Sequence, residues 1–230
     1  MNYIVAALHP WNAKNFDKLS KMVPGNWILA QCKEGLNPTL VHKIGPEYIF
    51  FPHWSWKIPK EIYDNYKCIG FHMTDLPNYR GSAPLQGLIS LGICETEISA
   101  FRITDAIDEG PIYMKEHLSL YGGAEEIYMR CSDRIFRMIS YIIKNEPEPV
   151  EQMGEPDMVF GKRTPGMSKL PETAESLTRL HDFIRMLDAE SYPKAFIEYG
   201  DWRIEFSRSC LRYDSVVADV KITEPGKKYE

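Results

Sequence analysis

Four short strand-like runs, residues 3–8, 27–32, 48–51 and 68–71, recur through the first third of the chain with helix-forming stretches between them. The first run is apolar throughout, as expected of a strand buried on both faces. Residues 13–22, 38–44 and 59–66 read as helices; Pro24-Gly25 stops the first, Gly45 ends the second, and the third has Pro59 at its start. Strands that alternate with helices at this spacing run in the same direction, so the pattern calls for an α/β fold. The expected core is a Rossmann-like, mostly parallel sheet with flanking helices.

Further along, residues 85–91 read as a helix and 97–103 and 111–117 as strands. The clearest helix is 124–145, where Ile127, Cys131, Ile135, Met138, Ile139 and Ile142 recur at three- and four-residue steps and Pro147 and Pro149 follow the end. A last long helix is predicted over 173–189, with Thr173 as its cap. Alternating residues at 195–199 and 202–206, around Gly200-Asp201, predict a small C-terminal β-hairpin, with one more strand at 216–222. This organisation places one domain over 1–190 and a short β extension over 191–230, too short for a full OB-type barrel.

Several functions are disfavoured. The net charge of −5 argues against nucleic-acid partners, which select a basic surface. No Gly-x-Gly-x-x-Gly follows the first strand, where Ala6-Ala7-Leu8-His9-Pro10 stands instead, so a dinucleotide is not expected. The five cysteines are scattered with no Cys-x-x-Cys pair, and no metal site is expected; Cys68 and Cys94 read as small hydrophobes beside apolar runs. No run is long enough to span a bilayer, and the start lacks the pattern of a secretory leader, so a cytoplasmic protein without a membrane partner is expected. The Lys227-Lys228 pair reads as solvated charge.

Chemistry concentrates in Gly70-Phe71-His72-Met73-Thr74-Asp75-Leu76-Pro77-Asn78-Tyr79-Arg80-Gly81, where polar residues follow the fourth strand at the end where α/β enzymes place their crevice. A second loop, Asp105-Ala106-Ile107-Asp108-Glu109-Gly110-Pro111, also lies between two strands. Together they suggest a His–Asp pair at adjacent strand ends.

Both segments resemble the N10-formyltetrahydrofolate-dependent, methionyl-tRNA formyltransferase-like family, whose motifs run Asn-x-His-x-Ser-Leu-Leu-Pro…Arg-Gly and then Asp-x-Gly. The likeness extends through Phe160-Gly161-Lys162-Arg163-Thr164-Pro165 and Ile184-Arg185-Met186-Leu187-Asp188-Ala189-Glu190-Ser191-Tyr192-Pro193-Lys194-Ala195-Phe196, stretches similar to the sugar N-formyltransferase branch. One departure stands out: the family's Asn is Gly70 here.

The resemblance implies a formyltransferase fold and N10-formyltetrahydrofolate as formyl donor. It implies His72 and Asp108 as catalytic residues. Three accounts of Gly70 compete: another donor (Thr74, His53 or a backbone N–H) stands in for the missing Asn, His72 carries more of the task, or the protein is a slow or non-catalytic relative. Trp54, Trp56 and Ile58 would bind the folate against an opposite wall of Thr104, Asp105, Ala106 and Ile107. His53, Arg80, Gly81 and Arg163 would face the substrate. The implied acceptor is a small amino sugar, either a nucleotide-linked 4-amino-dideoxysugar or a sialic-acid-like sugar of the pseudaminic acid type, destined for a bacterial surface glycan. A formyltetrahydrofolate hydrolase and a non-catalytic folate-binding relative are the competing classes. The apolar side of the C-terminal hairpin suits core packing or a homodimer surface equally.

Overall fold

The computed structural model describes residues 1–190 and 192–224; Ser191 and the Lys227-Lys228 pair lie outside the described residues. The elements run β1 (Asn2–Ala6), α1 (Pro10–Met22), β2 (Asn26–Ala30), α2 (Pro38–Ile44), β3 (Tyr48–Pro52), α3 (Lys60–Asn65) and β4 (Lys67–His72). After these come β5 (Tyr79–Gly81), α4 (Pro84–Ser90), β6 (Glu95–Arg102), β7 (Ile112–Ser119), α5 (Ala124–Asn145) and β8 (Met158–Phe160). The chain ends with α6 (Leu177–Arg185), β9 (Ala195–Tyr199), β10 (Trp202–Leu211) and β11 (Val216–Thr223).

The central sheet has the order β2-β1-β3-β4-β6-β7. β1 pairs in parallel with β2 and β3, β3 pairs in parallel with β4, and β6 joins β4 antiparallel. The fold is therefore mixed α/β with a mostly parallel sheet, as the alternation requires. Every residue of β3 is buried, which accounts for its unbroken apolar run. On α5 the six residues of the predicted stripe are fully buried, the isoleucine and methionine side chains each contributing roughly 1.5–3 kcal/mol for their apolar surface. No helix among the described residues is long and apolar enough to cross a membrane.

The chain divides into two compact units. Residues 1–81, 96–118 and 129–159 form the first, which holds most of the central sheet. Residues 82–95, 119–128 and 160–230 belong to the second, so the C-terminal strands share a unit with α4, the first turn of α5 and α6. Buried polar contacts tie those pieces together. The Gln86 amide donates to the Met186 carbonyl at 3.0 Å and the Tyr128 hydroxyl at 3.2 Å. Arg185 pairs with Asp182 at 2.7 Å and donates to the Leu120 and Gly122 carbonyls.

The structure departs from the sequence reading in several places. α1 begins at Pro10, where proline suits the first helical turn. The last helix is shorter than 173–189: Ser176, not Thr173, caps it, its hydroxyl accepting from the Arg179 N–H. The predicted hairpin is two strands of an antiparallel sheet of order β11-β10-β9, with β10 extended to Leu211. Cys68 is buried as expected, but Cys94 is exposed. Two three-residue strands, β5 and β8, pair with each other and were not anticipated. Arg80 and Gly81 lie on β5.

Candidate active site

His72 ends β4 and is 8% exposed. Its Nδ1 lies 3.8 Å from Asp108 Oδ1, and the ring also forms a backbone hydrogen bond with Tyr79. Its other nitrogen, Nε2, is buried with no partner among the described residues. Burial pushes the imidazole below its usual range, while the Asp108 carboxylate and the Tyr79 carbonyl oppose the shift. A neutral ring with one edge held and the other open can accept a proton at Nε2.

The turn after β4 is fixed from several sides. The Thr74 hydroxyl donates to the Tyr79 carbonyl at 2.5 Å, so its one proton is engaged. Ser99 donates to the Thr74 carbonyl at 2.8 Å and accepts from the Leu76 N–H at 3.1 Å. Lys115 donates to the Leu76 carbonyl and pairs with Asp75. The loop that follows His72 is thereby tied to β6 and β7.

Asp108 adopts a left-handed backbone with φ of 57°, a region that Asp tolerates better than most residues. Its Oδ2 accepts from the Gly81 N–H at 3.0 Å, which turns Oδ1 toward His72. Gln152, which the sequence did not reveal, clamps this loop: its Nε2 donates to the Asp108 carbonyl at 2.9 Å and the Gly110 carbonyl at 2.8 Å. Arg80 donates to Gln152 Oε1 at 3.0 Å and pairs with Glu109 at 3.0 Å. Arg80 and Gly81, expected to face a substrate, brace the Asp108 loop through two guanidinium nitrogens and one amide. Gln152 lies beyond α5 in a proline-punctuated connection with no periodic pattern, so no local signal marks it.

His53 follows β3 with φ of 54°. Because Pro52 pairs with Phe71 across β3 and β4, His53 and His72 occupy equivalent places at neighbouring strand ends. Asn12 approaches His53 Nδ1 at 3.4 Å and belongs to a buried network with Ser132 and Asn15. Burial, helped by nearby His9, pushes His53 down to about 3 from the ordinary 6.5. The unfolded chain therefore binds a proton there that the folded protein refuses. Stability is full above the unfolded pKa of 6.5 and is lost as pH falls toward 3. Between pH 7 and pH 5 His53 is expected to cost about 2 kcal/mol of stability. Thermal melts across that interval check this, and His53→Gln should flatten the slope.

The expected folate residues divide by environment. Trp54 and Ile58 are half-buried against the cluster of Ile49, Phe51 and Ile62. The Trp54 ring meets Trp56 edge-on at 4.8 Å, and Trp56 is exposed. The Trp54 indole nitrogen is buried without a partner among the described residues. On the loop after β6 Ile107 is exposed, Thr104 donates to the Ala106 carbonyl at 3.3 Å, and Asp105 accepts from the Tyr63 hydroxyl at 2.9 Å. Arg163 lies in the second unit, where it donates to the Met167 carbonyl at 2.6 Å. Among the described residues no group of three or more His, Cys, Asp or Glu side chains is arranged to hold a metal ion.

A formyl transferase family model matches residues 30–134, and a second model, methionyl-tRNA formyltransferase, C-terminal domain, matches residues 165–223. The solved structure of a methionyl-tRNA formyltransferase from Clostridium thermocellum is 47% identical, with a TM-score of 0.94, covering 97% of this chain and 99% of that one. The chain belongs to the formyltransferase family. Among curated relatives, a methionyl-tRNA formyltransferase of Ehrlichia ruminantium is 26% identical over 187 residues, 79% of this chain; the chain spans 59% of that relative's length. A sugar N-formyltransferase from a Shewanella species shares the fold, with a TM-score of 0.67 at 15% identity over 99% of each chain.

Within the formyltransferase motif, the glycine at position 70 has a structural counterpart. Gly70 pairs with Phe101 across β4 and β6, and a Cβ on Gly70 would lie 2.8 Å from two atoms of the Phe101 ring and 3.3 Å from Ile103 Cγ1. The space that a side chain would need at this position is filled by the phenyl ring. Gly70→Asn is therefore expected to destabilise the protein by about 1–3 kcal/mol through overpacking. The double variant with Phe101→Ala should recover part of that loss in a denaturation series. An unchanged melt for Gly70→Asn would show that Phe101 does not guard the position.

Proposed function

We propose that this formyltransferase-family chain moves a formyl group from N10-formyltetrahydrofolate to the primary amine of an amino sugar. One observation carries the reading: His72 presents a buried, unpartnered Nε2 at a strand end while Asp108 and Tyr79 hold its opposite edge. The formyl donor is a co-substrate consumed at each turnover, and the residues suit it. Trp54 and Trp56 offer aromatic faces, Ile58 an apolar floor, the Trp54 indole an unspent donor, and residues 105–107 an exposed loop. Bound there, it supplies a formyl carbon already carried on nitrogen.

Transfer requires the amine nitrogen to form a bond to that carbon and to lose a proton. The bond to the donor nitrogen breaks, and that nitrogen takes its electron pair and a proton. His72 accepts the amine proton at Nε2 and passes it to the departing nitrogen, so no net proton is gained or lost. Asp108 stabilises the imidazolium between the two transfers. Thr74 acts at one remove, fixing the Tyr79 carbonyl that orients His72. Arg80 and Gln152 hold Asp108 in register with it.

The amino-sugar acceptor is supported by the net charge of −5, since affinity for a polyanion rests on neutralising phosphates. Full-length likeness in fold to a sugar N-formyltransferase points the same way. The second reading, methionyl-tRNA as acceptor, is favoured by the relative that is 47% identical over nearly the whole chain. Steady-state kcat/KM for a nucleotide-linked 4-amino-dideoxysugar, a nonulosonate amino sugar and initiator methionyl-tRNA separates them. A preferred sugar, with kcat/KM little affected by salt, is the expected result. Preference for methionyl-tRNA with a KM that climbs steeply with salt would transfer the assignment to the second reading.

A further inference from the structure

Acyl transfer places negative charge on the carbonyl oxygen, and a hydrogen-bond donor aimed at that oxygen is worth a large part of the rate. The obvious position beside His72 on β4 cannot supply it, because even a Cβ on residue 70 would strike Phe101. Thr74 cannot either, its proton being spent on Tyr79. The neighbouring strand end holds an imidazole whose protonation state the surroundings dictate.

That dictation can be followed atom by atom. Asn15 Nδ2 donates to Ser132 Oγ at 3.0 Å, and Ser132 Oγ donates to Asn12 Oδ1 at 2.7 Å. Asn12 Nδ2 then lies 3.4 Å from both the Pro52 carbonyl and His53 Nδ1. The carbonyl settles which way the Asn12 amide points, since a flipped amide would set oxygen against oxygen at Pro52. His53 Nδ1 must therefore accept, and the ring's one proton sits on Nε2. Asn12 and Ser132 are fully buried and Asn15 nearly so, so this relay is shielded from water. The left-handed backbone at His53 is an unfavourable conformation for a residue with a side chain, held by its surroundings.

We propose that the Nε2–H of His53 donates to the formyl oxygen as charge develops there, supplying the hydrogen bond that Phe101 bars from position 70. The proposal rests on the formyl-transfer reading above. In the bond-forming step His53 gives a hydrogen bond and keeps its proton; His72 alone transfers one. Asn12 is the positioning residue, acting through the His53 tautomer.

The test compares wild type, His53→Phe, His53→Gln, Asn12→Leu and His72→Ala in N10-formyltetrahydrofolate-dependent transfer, with tetrahydrofolate binding by calorimetry and imidazole nitrogen NMR. His53→Phe keeps the bulk of a ring without a donor and should lower kcat by about 10²–10³-fold, with tetrahydrofolate affinity unchanged. His53→Gln, which restores an N–H, should recover part of the rate. Wild-type spectra should show His53 protonated on Nε2 alone, and Asn12→Leu should release that tautomer preference. A His53→Phe enzyme as fast as wild type overturns the proposal, as does equal loss of rate and tetrahydrofolate affinity or a His53 protonated on Nδ1. If wild type transfers no formyl group to any amine, the functional reading itself fails; if transfer persists in wild type and stops in His72→Ala while His53→Phe is unaffected, only this proposal fails.

Discussion

His72→Ala is expected to lower kcat for formyl transfer by about 10²–10⁴-fold, the range for loss of a general acid–base group, while tetrahydrofolate binding persists. The removed ring combines a buried, unpartnered nitrogen with a carboxylate behind its other edge. Asp108→Asn should be damaging as well, because the amide cannot stabilise the imidazolium and its NH₂ would face Nδ1–H or the Gly81 N–H. The pH dependence has a definite sign. Burial holds the His72 pKa below its ordinary value, so activity is present at neutral pH and declines in acid, with a midpoint under 6.5. A kcat that rises as pH falls through 6 would contradict a neutral His72 as proton acceptor.

Gly110→Ala carries the second large effect, on folding and activity together. A Cβ on Gly110 would lie 1.7 Å from the Arg102 carbonyl oxygen and 2.9 Å from its carbon, both backbone atoms with little freedom to retreat. The backbone there is also held by Gln152 on the Gly110 carbonyl and by Arg102 N–H on Pro111. The methyl group must push the loop off β6, at a cost of roughly 3 kcal/mol or more. Since Asp108 stands two residues earlier on the same loop, kcat should fall by about 10²-fold for a displacement near 1 Å. Denaturant titration and steady-state kinetics on the same preparation check both. A stable, active Gly110→Ala protein would mean that the loop does not pack as described.

These effects trace to features of unequal visibility in the sequence. The stripe on α5 and the apolar strands β1, β3 and β4 were legible because one-face and two-face burial write distinct periodicities into the chain. The end of β4 was legible because polar residues interrupt an apolar run at one point, with His72 at the break. Polar residues in the stretch before α6 neither support nor forbid a helix; the Ser176 cap, a local competition, sets the true start. Three-residue strands such as β5 and β8 are too short to carry a period of two.

What escaped entirely were contacts made across the sequence. Gln152 reaches Asp108 from 44 positions away and Ser132 reaches Asn12 from 120. Neither has a local pattern. Phe101 opposite Gly70 follows from strand register alone, which the sequence of either strand does not specify. Asn12 and Asn15 did leave a trace: with Leu19 they form the buried face of α1, and two amides on a core-facing stripe mark a polar network.

In the proposed reaction a donor's formyl carbon is joined to an amine at His72. The most direct measurement follows a ¹³C-labelled formyl group from N10-formyltetrahydrofolate by mass spectrometry, with and without the amino-sugar acceptors, in wild type and His72→Ala. The expected result is label in a formamide on the sugar, tetrahydrofolate released in step with it, and neither in His72→Ala. Label recovered as free formate whether or not an amine is present would contradict it, because water would then be the acceptor.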